Sequence, residues 1–259
     1  MKNQKSSKLR PPDFKFCSMK ELVKRAWKER ESFNLEGIDY GQPHWAATTQ
    51  MVTAPHTYPY YYFLAGMVKV TGALKIVEVG THQGGSARAM AKALETSERG
   101  KIVTFDITPY GRQMFAEHKS IRAYTCDANS EEALSHVIEE FGGPGIDLVF
   151  IDGIHEFWPT MINVLIYGEV CAARYIVLDD ITLNPGMEKL WELLRVRYGS
   201  KNVIDATEID EAIRRPGISA PGFGVIRSMP ADNKWEKKWP AQGLPGLPLI
   251  KRRLGSRRR

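Results

Sequence analysis

The segment KIVEVGTHQGGSARAMAKAL, residues 75–94, constrains the fold more than any other part of the chain. A β-rich run from Lys75 to Val79 carries an acid, Glu78, and stops at Gly80. A loop with Thr81, Gly84, Gly85 and Ser86 follows, and then a run of strong helix formers. Strand, glycine turn and helix N-terminus in that order make a place where backbone N–H groups face a ligand. Glycines there let a ligand approach the backbone that side chains would block. The pattern is E-x-G-x-x-x-G-G-S, whereas a dinucleotide fold uses G-x-G-x-x-G to seat a pyrophosphate. A turn of the same construction without a ligand is the alternative.

From residue 75 the chain alternates strand and helix. Strands are expected at 75–79, 101–106, 121–125, 147–151, 174–179, 202–206 and 222–227, with helices near 85–95, 111–118, 130–141, 157–170 and 186–198. Such alternation predicts an α/β fold, a seven-stranded, mostly parallel sheet with helices on both faces. Before it, residues 19–33 suit an amphipathic helix capped by Ser18, and 59–70 an apolar helix. Link 207–221, with its Pro and Gly, is expected as a surface loop or lid.

In open parallel sheets ligands sit beyond the carboxyl ends of the strands. Here those ends are acidic: Glu78 in the first, Asp106 closing the second, Asp127 after the third, Asp152 after the fourth, Asp179 and Asp180 at the fifth. One such acid is ordinarily a cap or turn residue. Five in succession converge on one rim, where repulsion is costly unless cations offset it. Asp106 stands where a carboxylate accepts hydrogen bonds from both ribose hydroxyls of a nucleoside. Asp127 either takes an adenine amino group or, with Asn129 and Ser130, begins the next helix. Asp152, Asp179 and Asp180 form a hard oxygen set suited to Mg²⁺ or Mn²⁺, which would acidify a bound hydroxyl. His155, three residues past Asp152, is then placed to act as its base. The bland reading makes Asp180 a cap, Asp179 a cofactor contact and His155 a turn residue.

Bulk properties narrow the class. A chain of 259 residues with 43% hydrophobic content supports one large α/β domain with extensions. No apolar run approaches the ~18 residues of a membrane span, and the basic start, MKNQKSSKLRPP, lacks the apolar core of a secretory signal. Cys17, Cys126 and Cys171 give neither a disulfide framework nor a zinc pattern, so a reducing cytoplasm is the expected compartment. Residues 1–30 hold ten Lys/Arg against three acids and residues 231–259 nine against two, +7 at each end; the total of +6 therefore leaves residues 31–230 at −8. An acidic centre argues against a nucleic-acid groove on the core. The basic ends read as solvated tails.

Taken together, residues 75–227 resemble a class I S-adenosylmethionine (SAM)-dependent methyltransferase, a Rossmann-like fold. Within that superfamily, E-V-G-T-H-Q-G-G-S, I-D-G-x-H and L-D-D are similar to the metal-assisted small-molecule O-methyltransferases, the catechol type and the macrocin and cephalosporin-hydroxylase-like groups. The resemblance implies a cofactor site of Glu78, Gly80, Thr81, Gly84, Gly85, Ser86, Asp106, Asp127 and Asp152. It implies a metal set of Asp152, Asp179 and Asp180. Catechol-type enzymes carry Asn where Asp180 stands and a Lys base where this chain has His155. The implied organisation is a basic N-terminal extension and helical cap (1–70), a SAM-binding domain (71–230) and a basic C-terminal tail (231–259). Segment 40–62, with His44, Trp45, Gln50, His56 and Tyr58, is expected to cover the site, although Tyr60–Tyr62 equally suit a core-packing helix. The implied reaction methylates a hydroxyl of a small-molecule substrate. A nucleic-acid methyltransferase and a non-catalytic SAM-fold interaction protein are the alternatives. The chain carries no N/D-P-P-Y/F motif for amino methylation. The acceptor and any homo-oligomer stay open.

Overall fold

A computed structural model describes residues 18–35, 59–95, 97, 99–213 and 222–228. The charged tails and most of the 40–62 segment, including His44, Trp45, Gln50, His56 and Tyr58, lie outside the described residues.

Strands β1 (Lys75–Val79), β2 (Lys101–Asp106), β3 (Ile121–Thr125), β4 (Leu148–Ile151), β5 (Tyr175–Asp179), β6 (Val203–Asp205) and β7 (Phe223–Arg227) form one sheet in the order β3-β2-β1-β4-β5-β7-β6. The first five pair in parallel; β7 runs antiparallel between β5 and β6. The central strands are apolar on both faces because both faces are covered. Ile76, Ile102, Leu148, Phe150 and Val177 pack into one core with α1 (Met19–Glu29), α2 (Pro59–Thr71) and α3 (Gly85–Leu94). Val77, Val103, Val149, Ile151 and Ile176 face the other core, with α5 (Glu131–Phe141), α6 (Phe157–Asn163) and α7 (Pro185–Tyr198). The strand period of two thus sorts one sequence into two cores.

The structure refines several expected elements. The helix expected over 111–118 is the short α4 (Tyr110–Met114). The helix expected over 157–170 changes after Asn163 into a π-helical stretch, Val164–Val170, closed by a Cys171 N–H to Ile166 carbonyl bond of 2.8 Å. That stretch buries Tyr167, whose hydroxyl donates to the Ala128 carbonyl at 2.6 Å. Link 207–221 begins as short 3-10 turns, and Asp210 there accepts the Trp27 indole N–H at 2.6 Å.

At the N-terminal end, Ser18 caps α1 by accepting the Glu21 N–H at 3.1 Å. Leu22, Val23, Ala26 and Trp27 bury one stripe of α1 against α2. The helices cross closely at Gly66, where an added Cβ would lie 2.0 Å from the Ala26 carbonyl oxygen. Backbone cannot swing away as a side chain can. Gly66→Ala should therefore destabilise the protein by about 1–3 kcal/mol despite the ~1 kcal/mol of helix propensity that alanine brings. Urea unfolding would show this as a lower midpoint at unchanged slope; an unshifted midpoint would mean that the crossing yields.

Candidate active site

β1 is the strand from which the chain first turns one way, to β2 and β3, and then the other, to β4 and β5. The carboxyl rim at such a switch point is where open parallel sheets form a ligand crevice. Gly80 lets the two loops meet. Its φ is 94°, and a Cβ would lie 1.9 Å from the Asp152 carbonyl oxygen. Gly84 (φ 74°) caps α3, and its Cβ would strike the Phe115 ring at 2.3 Å. A Cβ on Gly85 would lie 2.2 Å from the Tyr61 hydroxyl oxygen. The glycines were expected to make room for a ligand; the structure shows protein neighbours in those positions.

Glu78 was expected to touch the ligand. It is fully buried, and its carboxylate ties the loop together instead. Ser86 Oγ donates to Oε1 at 2.6 Å, and Thr104 Oγ1 donates to Oε2 at 2.5 Å. Thr104 has one proton to give, so Thr81 Oγ1, 2.6 Å away, is the donor in the next bond. Burial raises the Glu78 pKa to about 7, against the pull of the Ser86 and Thr104 hydroxyls, and Asp106 adds to the rise.

Asp106 closes β2 facing the same loop. Its Oδ2 accepts the His82 N–H at 2.6 Å, and Oδ1 accepts the Thr108 N–H and hydroxyl, each at 2.8 Å. Asp127 is exposed, and its Oδ1 accepts the Asn129 N–H at 2.8 Å. This is the turn geometry of the simpler reading, just before Ser130 caps α5 through the Ala133 N–H.

On the other side of the crevice, Asp152, His155 and Asp180 come together. His155 Nε2 lies 3.6 Å from Asp152 Oδ1 and 3.4 Å from Asp180 Oδ2. Asp180 is buried and left-handed (φ 57°), a conformation that few residues other than Gly, Asn and Asp adopt readily. The carboxylate of Asp179, also buried, accepts the Asp180 N–H at 3.0 Å. Among the described residues, no group of three His, Cys, Asp or Glu side chains is arranged to hold a metal ion. The expected cage of Asp152, Asp179 and Asp180 is thus not assembled here; two of its members instead share an imidazole.

Two contributors escaped the sequence reading. Asn184 caps α7 by accepting the Met187 N–H at 3.0 Å, and its Nδ2 holds the His155 carbonyl at 2.8 Å. Asn184-Pro185 is the signal that could have found it, a cap residue followed by Pro in the first turn. Gln83 lies inside the glycine loop, its Oε1 buried with no hydrogen-bond partner.

Residues 77–181 match the family model described as a methyltransferase domain. Similar solved structures include an O-methyltransferase from Bacillus cereus in complex with SAH, 16% identical over 80% of this chain and 90% of that one, TM-score 0.46. The O-methyltransferase TomG from Streptomyces achromogenes, in complex with SAM, is 17% identical over 82% of this chain and 92% of that one, TM-score 0.44. No curated protein matches the chain. Among the described residues, no helix is long and apolar enough to cross a membrane.

The buried acid of β1, Glu78, makes stability depend on pH. Between its ordinary value of 4.5 and about 7, the folded protein keeps a proton on Glu78 that the unfolded chain releases. Stability from this group is full below about 4.5 and falls as pH rises to about 7, by on the order of 3 kcal/mol. Glu78→Gln cannot ionise. Relative to wild type it should gain thermal stability between pH 5 and pH 8, followed by calorimetry. Parallel Tm profiles would exclude a buried neutral Glu78.

Proposed function

We propose that the chain transfers the methyl group of SAM to a hydroxyl oxygen of a small molecule, with His155 as the base. The observation that carries this reading is the meeting of His155 with Asp152 and Asp180 across the crevice from a glycine loop inside a methyltransferase domain.

The residues suit such a donor. SAM carries an amino-acid end, a sulfonium and an adenosine. The first-turn N–H groups of α3, at Gly85, Ser86 and Ala87, have no acceptor within the helix and favour a carboxylate. Asp106 keeps one acceptor position, on Oδ2, for a ribose hydroxyl beyond the three donors it already holds. Asp127 is exposed at the next strand end, where an adenine amino group would reach it. When bound, SAM supplies an electrophilic methyl whose C–S bonding pair remains on sulfur as the acceptor oxygen attacks.

The protein's part is to orient the acceptor and take its proton. His155 is held through its backbone carbonyl by Asn184, and Thr160 Oγ1 donates to the neighbouring Ile154 carbonyl at 2.9 Å. The acceptor's O–H proton passes to Nε2, and Asp152 and Asp180 are ion-pair partners for the imidazolium that forms. A divalent cation, were one bound, would have Asp152 and Asp180 as its carboxylate ligands. Bound there, it would lower the pKa of the acceptor hydroxyl.

Isothermal titration of the full chain with S-adenosylhomocysteine should show binding, and its absence would defeat this reading. With radiolabelled SAM and a panel of catechols and nucleotide sugars, His155→Ala should lower kcat by about 10²–10⁴ while homocysteine-nucleoside affinity stays put. Turnover that is indifferent to this change would remove His155 from the role of base. For the cation, Asp180→Asn keeps a residue tolerant of the left-handed turn but removes its charge. Bound Mn²⁺, counted by electron paramagnetic resonance, should drop severalfold in that variant. No bound Mn²⁺ in the wild type would leave the site without a metal.

A further inference from the structure

Most large apolar side chains of the described residues are buried, yet three of the exposed ones flank His155. Ile154 (56% exposed) precedes it, and Trp158 (70%) stands three residues later in the first turn of α6. Leu183 (45%) sits beside Asn184, which holds the His155 carbonyl. Single exposed apolar residues are ordinary, but a group of them around one imidazole marks a contact surface. The backbone beneath this group is fixed. Thr160 Oγ1 donates to the Ile154 carbonyl at 2.9 Å, and the Leu183 N–H bonds to the Asp180 carbonyl at 3.1 Å. Phe157 braces Trp158 edge-on, with ring centroids 5.1 Å apart.

We propose that Ile154, Trp158 and Leu183 hold the body of the methyl acceptor, and that this body is apolar and uncharged; the inference rests on the methyl-transfer reading. A base must lie within hydrogen-bond reach of the hydroxyl it deprotonates. An acceptor at His155 Nε2 therefore lays the rest of itself on these neighbours. Their scale suits a small molecule, because three side chains fall well short of the roughly 800 Å² per partner of a stable protein interface. Charge then selects among small molecules. Neither 152–160 nor 179–187 contains Lys or Arg, whereas Asp152, Glu156, Asp179 and Asp180 stand in them. A phosphate or carboxylate on the acceptor would meet those acids without a counter-charge, where partial desolvation strengthens repulsion. An aromatic or alkyl body instead takes apolar surface out of water, which is favourable.

Two acceptors with the same hydroxyls and different bodies test this, 4-propylcatechol and 3,4-dihydroxybenzoate. With SAM as donor, kcat/KM of the full chain should favour the propyl compound at least about tenfold, the size of a small apolar difference in a pocket. Trp158→Ala should raise KM for 4-propylcatechol about tenfold, with kcat within a few-fold of wild type. S-adenosylhomocysteine affinity should not change, and Trp158→Phe should recover most of the lost KM. Equal use of both acceptors by the wild type, or an unaltered preference in Trp158→Ala, would overturn the inference. So would a loss of S-adenosylhomocysteine affinity in Trp158→Ala that matches the rise in KM, because the ring would then serve the donor or the fold. A wild type that binds S-adenosylhomocysteine yet methylates neither compound would refute this acceptor class and leave the donor reading standing. If it binds no S-adenosylhomocysteine, the methyl-transfer reading itself falls, and this inference with it.

Discussion

The carboxyl group of Glu78 is the interaction on which the rest of the site depends. It belongs to β1, receives a hydroxyl from α3 through Ser86, and receives another from β2 through Thr104, to which Thr81 adds a third. Strand, helix and neighbouring strand thus meet at one acid in an interior that would otherwise be apolar. Burying a carboxyl group is expensive. The cost is limited in two ways: two hydroxyls satisfy its oxygens, and burial makes proton uptake easier, so that the charge need not persist. A glycine loop between those anchors is held at both ends.

From that anchor the crevice follows. Gly80 brings the loop after β1 against the backbone of Asp152, which starts the loop after β4. Because the Asp152 N–H also bonds to the Val79 carbonyl at 2.8 Å, the two strand ends are registered to each other. His155 is three residues farther along that loop, and Asn184 ties it to the start of α7 beyond β5. Placement of His155 therefore traces back, through backbone contacts, to the same junction that positions the glycine loop.

Much of this was legible in the residues because the central strands are covered on both faces and read as Val/Ile-rich runs between glycine and acidic turns. Every strand expected from the sequence is present within a residue at each end. What did not show was long-range. No local signal marks β7 as antiparallel or inserts it between β5 and β6, because that depends on which strand edge remains open. The neighbours of Gly84 and Gly85, Phe115 and Tyr61, are distant in sequence, so the glycines read as ligand contacts. Glu78 read as a cofactor acid for a similar reason: its burial depends on Ser86 and Thr104 together.

The charge pattern joins the site to the proposed chemistry. Asp106, Asp152, Asp179 and Asp180 stand along one rim of a central region that carries −8 overall. The single imidazole of His155 faces two of them. An acidic rim in a partly desolvated crevice favours cations and disfavours anionic ligands, and the preference is stronger than it would be in bulk water. A sulfonium donor is such a cation, and transfer of its methyl leaves a neutral thioether. The field of the rim therefore distinguishes donor from product by a full positive charge located at the reacting sulfur. Asp152 and Asp180, the acids beside His155, are those that would stabilise a proton taken up by it. One set of carboxylates can thus favour the charged donor before transfer and the charged base after it.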